Sequence, residues 1–75
     1  MNISEYQYLW NEERNDWVLV NTPYGYGIVN IRTSMMLMVS DSKLKQTIIH
    51  KMEQEGIKRY DSIDDVPFLN DVEFS

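Results

Sequence analysis

A single segment, VSDSKLKQTIIHKMEQEG at residues 39–56, carries a helix start, a helix period and a helix stop that agree with one another. Ser40, Asp41 and Ser42 offer side-chain oxygens to the orphan N–H groups of a first turn, and either Asp41 or Ser42 serves as cap. Neither has Glu or Gln three residues later, so a reciprocal capping box is absent. Asp41 also sets negative charge at the positive end of the helix dipole. Leu44, Ile48 and Met52 recur every fourth residue and Ile49 widens the stripe, while Lys43, Lys45, Lys51, Glu53 and Glu55 lie mostly away from it. Gly56 stops the helix because glycine takes the left-handed conformation without steric cost.

The spacing predicts a helix over residues 41–55, about 22 Å long. Such a helix is marginal alone and must cover a surface. Three further segments read as strands that supply it. Residues 16–22 are β-branched and aromatic and stop before Pro23, which cannot continue a central ladder. Pro23, Tyr24 and Gly25 turn the chain, with Asn21 able to bond back to the backbone there. Residues 26–31 follow as the next strand, with Gly27 marking a bulge or a close approach. The run MMLMV at 35–39 is the last before the helix, and its need for a separate cap argues that it is a strand.

The N-terminal ISEYQYLW has two readings. As a strand over 5–10, Tyr6, Tyr8 and Trp10 alternate on one face. As a helix, Ser4 caps with Gln7 at the third position, and Ile3 staples to Tyr8. Three aromatics in five residues favour the strand. The expected fold is therefore α+β: an antiparallel meander of three to four strands, at about 5–10, 16–22, 26–31 and 35–39, against one amphipathic helix. After Gly56, IKRY reads as a charged edge strand, and Ser62 caps a single turn at SIDD. One domain spans 1–75, with Phe68, Leu69, Val72 and Phe74 partly docked and residues 70–75 frayed.

Met36 and Met38 oppose Met35, Leu37 and Val39 across the pleat, so both faces of this sheet are apolar. The helix takes one. The other calls for the N-terminal aromatics, the C-terminal segment or another molecule. Tyr6, Tyr8, Trp10, Trp17, Tyr24, Tyr26, Met36 and Met38 are accordingly the candidate interaction residues, because Tyr, Trp and Met are enriched at interface cores.

Catalytic and ligand patterns are weak. His50, the one histidine, lies beside the helix stripe with no serine or carboxylate in relay relation. Asp61, Asp64 and Asp65 lack the glycine and terminal glutamate of a calcium loop. Tyr24-Gly25-Tyr26-Gly27 lacks phosphate-loop spacing. The chain has no cysteine, which removes disulfides and thiolate chemistry and is compatible with a reducing cytosol. No signal peptide is read, MMLMV is too short to span a bilayer, and Asn2-Ile3-Ser4 is read as a chance sequon.

Charge is uneven. Residues 1–31 contribute −3, residues 32–60 contribute +3 and residues 61–75 contribute −5. The net charge of −5 disfavours nucleic-acid binding, even though Lys43, Lys45, Lys51, Lys58 and Arg59 form a basic stretch. The expected function is a noncatalytic, cytoplasmic protein-interaction module that binds a protein partner or itself, with no membrane, cofactor, metal or small-molecule ligand. The alternative is an acidic inhibitor or immunity-like protein that occupies a basic cleft on a nuclease or nucleic-acid-binding partner.

Overall fold

The computed structural model describes residues 3–68. Along them run a 3-10 helix at Ile3–Leu9, β1 at Trp17–Thr22, β2 at Gly25–Asn30, β3 at Met35–Leu37, α1 at Ser42–Gln54, β4 at Arg59–Tyr60 and a 3-10 turn at Ile63–Asp65. The strands form one sheet in the order β3-β2-β1-β4. β1, β2 and β3 pair antiparallel and β4 joins β1 in parallel. This is the α+β meander with its covering helix, closed on one side by the charged segment after Gly56.

Local chemistry explains each junction. Asp41 is the cap of α1: its Oδ1 accepts from Lys43 N at 3.0 Å and Leu44 N at 3.2 Å. The helix ends on Gly56, whose φ is +81°. There Gly56 N–H bonds the Glu53 carbonyl at 3.1 Å and Ile57 N–H bonds the Met52 carbonyl at 3.0 Å. That pair of bonds is a Schellman motif, and its apolar seal is the burial of Ile57 and Met52 in one cluster. Arg14 adds a bond of 2.6 Å to the Glu55 carbonyl.

The β1–β2 turn places Pro23 and Tyr24 between the paired Thr22 and Gly25, with Gly25 at φ +109°. The side-chain bond expected of Asn21 belongs to Thr22, whose Oγ1 accepts from Tyr24 N and donates to the Gly25 carbonyl. Asn30, the one buried polar residue among those described, accepts from Arg32 N at 2.8 Å and Thr33 N at 3.0 Å and so shapes the β2–β3 turn.

Two clusters sandwich the sheet. On one face Leu19 and Ile28 pack with Ile48, Ile49, Met52, Ile57, Leu9 and Trp10. On the other, Val18, Val20 and Val29 pack with Val66, with Tyr60 and Phe68 at the margin. The C-terminal segment therefore covers the second face. Ser62 caps its turn by accepting from Asp64 N at 3.2 Å.

Residues 5–10 are not a strand. Residues 5–9 belong to the 3-10 helix and Trp10 to the turn after it, on the helix side of the sheet with Leu9 and Trp10 in the main cluster. The reason is geometric. β1, the strand they would have joined, already has β2 on one side and β4 on the other. The expected docking of Leu69, Val72 and Phe74 and the fraying of 70–75 lie outside the described residues.

The cap gives a first test. Asp41→Ala should cost about 1 kcal/mol in urea unfolding. Ser42→Ala should cost far less, because Asp41 alone makes the capping bonds. Equal losses would move the cap to Ser42.

Candidate protein-interaction surface

The structure divides the eight candidate residues into two groups. Trp10 is buried in the main cluster, and Tyr6, Tyr8, Trp17 and Tyr26 are half-buried against it. Tyr8 and Trp17 meet edge to face at 6.3 Å, and the Trp17 indole N–H donates to Glu13 at 2.9 Å. Burial first, then the Glu13 carboxylate and Tyr6, raise the Tyr8 phenol above its ordinary value. These rings seal the core margin around α1 rather than forming a platform on the outer sheet face.

Tyr24, Met36 and Met38 are exposed, at 97%, 45% and 83%. Tyr24 stands alone at the tip of the β1–β2 turn. The methionines sit together at the β3 edge, and Met35 joins them at 66% exposure. Alternation places Met35 on the α1 side with Leu37, yet only Leu37 and Val39 reach the helix cluster. Met35 opens the strand, beyond the reach of that cover, which sequence parity alone does not reveal.

Met36 has a defined seat. It pairs with Val29, and its methyl lies over Gly27, 2.9 Å from where a glycine-replacing Cβ would stand. Gly27 is thus the close approach foreseen for it, made by a flexible side chain. Met38 follows the end of β3 toward the end of the sheet that carries the β1–β2 turn.

The two sheet edges differ in kind. β4 carries Arg59 with Lys58 just before it, charges of the type that discourage further strand pairing. β3 carries Met35, Met36 and Leu37, with no charge and no proline. Its outer rim meets no strand among the described residues.

Among the described residues, His50 and the acidic side chains do not converge on one site. His50 is exposed on α1. Lys51 pairs with Glu55 at 3.5 Å and Arg59 with Glu53 at 2.9 Å, so the basic stretch is partly neutralised within the fold. Among the described residues no three acidic or histidine side chains gather as a metal set, and no helix is long and apolar enough to cross a membrane. Comparison of the chain with protein families, with curated proteins and with solved structures finds no match.

Proposed function

We propose that this chain is a noncatalytic interaction module that associates with a second copy of itself through the β3 edge. The observation that carries the reading is the uncharged edge strand with Met35, Met36 and Met38 exposed around it. Two β3 strands pairing antiparallel continue the sheet across a twofold axis, each supplying the N–H and C=O groups the other lacks. A ladder of three residues is short. The methionines therefore provide most of the binding, as flexible apolar side chains that repack against their own copies. A cytoplasmic location belongs to the same reading, supported by the lack of cysteine.

The acidic-inhibitor reading gains nothing from the geometry. Glu5 lies on the 3-10 helix packed beside α1, whereas Asp64 and Asp65 lie on the turn against the opposite sheet face.

Sedimentation velocity over a micromolar dilution series should show a reversible monomer–dimer equilibrium. Met36→Lys should weaken it by about tenfold or more, with the circular dichroism spectrum unchanged because the lysine stem can lie over Gly27 as the methionine does and carry its charge out to solvent. A wild-type monomer throughout, or a dimer indifferent to Met36→Lys and Met38→Lys, would overturn the proposal.

A further inference from the structure

At the opposite side of the sheet β1 and the segment after α1 run together only from Leu19 and Arg59 onward. Before that point they diverge around a groove of about 230 Å³. Val18 and Ile31 give it apolar walls, Trp17 and Tyr60 give it rings, and Arg14 and Lys58 give it two positive charges.

Among the described residues neither has an anionic partner, as is also true of Lys43 and Lys45 on α1; what sets Arg14 and Lys58 apart is that both line this groove. Among the described residues Arg14 bonds only the neutral Glu55 carbonyl, and Lys58 rests 5.3 Å above the Tyr60 ring. Four carboxylates on the adjoining segments are engaged elsewhere: Asp16 with Arg32, Glu55 with Lys51, Glu53 with Arg59, and Glu13 with the Trp17 indole. Arg14 has five N–H donors, of which the Glu55 bond uses one. In a chain of net charge −5, two exposed cations that line one aromatic-walled groove and have no counterion among the described residues mark a place for an anion.

We infer that this groove binds a carboxylate-bearing residue of a peptide partner, its carboxylate between Arg14 and Lys58 and its apolar stem against Trp17 and Tyr60. The volume decides the class. It lies below the roughly 300–1,000 Å³ of sites that enclose a whole small molecule, and it suits one side chain or one chain end. A nucleic-acid strand fits less well, because tracking its backbone needs a continuous basic path and here the turn bearing Asp61, Asp64 and Asp65 follows Tyr60 directly. The inference stands apart from self-association, since the groove adjoins β4 and the methionines adjoin β3.

The test is a titration of ¹⁵N-labelled full chain, followed by NMR, with four probes: acetyl-Val-Phe as free acid, the same peptide as its amide, acetyl-Val-Glu amide, and a short oligothymidine. At least one carboxylate peptide should shift the Trp17 indole and the Gly56 and Lys58 amides. The uncharged amide should bind about tenfold more weakly or not at all. Binding by the free acid alone assigns the site to a chain terminus, and binding by the Glu peptide assigns it to an internal acidic residue. Lys58→Gln, at an exposed position, should reduce affinity about fivefold or more with the spectrum otherwise intact, and Arg14→Gln should do the same. Equal binding of acid and amide, tighter binding of the oligonucleotide, no shifts with any carboxylate peptide, or full affinity in both variants would overturn the inference.

Discussion

Leu19→Ala is expected to lower the unfolding free energy by about 3–5 kcal/mol. Leu19 is fully buried on β1, an inner strand of the sheet, and its side chain stands under α1 with Ile28, Ile48 and Met52. Truncation removes three carbons at about 0.8 kcal/mol each and leaves a cavity that sheet and helix cannot both close. A domain of 75 residues has only about 4–11 kcal/mol of stability in all. The substitution therefore consumes about a quarter of it or more. Urea unfolding followed by tryptophan emission reads the loss, since Trp10 and Trp17 both contact this cluster. Val20→Ala gives the comparison on the other face. Val20 is equally buried but loses two carbons in the smaller valine cluster, so about 2 kcal/mol is expected. A Leu19→Ala loss under about 1 kcal/mol, the size of an average substitution, would mean that α1 does not seat on this face of the sheet.

The same packing explains what could be read from residues alone. α1 was legible because three independent signals coincide: Asp41 at the start, the Leu44, Ile48 and Met52 period, and Gly56 at the end. β1 and β2 were legible because Pro23 and Gly25 fix the turn and the flanking residues suit a pleated, buried surface. The N-terminus was misread for a definite reason. Tyr6, Tyr8 and Trp10 alternate with period two, while Ile3, Tyr6 and Leu9 recur with period three. A 3-10 helix has three residues per turn, so its packed stripe repeats every third position. All three meet the helix-side cluster, with Tyr8 packing beside them. The period-three signal was present but lay under a more conspicuous aromatic alternation. β4 was legible as a charged edge but not as a parallel partner of β1, since that choice depends on where α1 returns the chain.

The candidate surface was legible in residue type and not in placement. Aromatic surplus was visible in the composition, but whether a ring faces α1 or solvent depends on which strand occupies the sheet edge. Trp10 goes inside because the 3-10 helix ends over the core, and Tyr24 goes outside because it tips a turn. Met36 and Met38 remained exposed because the C-terminal segment covers the valines of β1 and β2 and the β3 edge lies beyond that cover.

Leu9→Ala is the second large expected effect, and it tests the segment that sequence periodicity placed differently. Isolated 3-10 helices have poor hydrogen-bond geometry and little stability of their own. The segment at Ile3–Leu9 is therefore held by docking, and Leu9, fully buried between it and α1, is its anchor. Removing the side chain should cost about 2–4 kcal/mol. The loss should also be local: Trp10, Tyr8 and Trp17 would lose their fixed surroundings, so the near-ultraviolet dichroism should weaken before the far-ultraviolet signal of α1. Glu5→Ala, an exposed change on the same 3-10 helix, should stay within about 0.5 kcal/mol of wild type. An equally small effect for Leu9→Ala would show that the 3-10 segment is an appendage, and the half-buried rings of Tyr6, Tyr8 and Trp17 would then become available for a partner. Close agreement with the larger figure would bind those rings to the core and leave the β3 methionines as the apolar surface open to association.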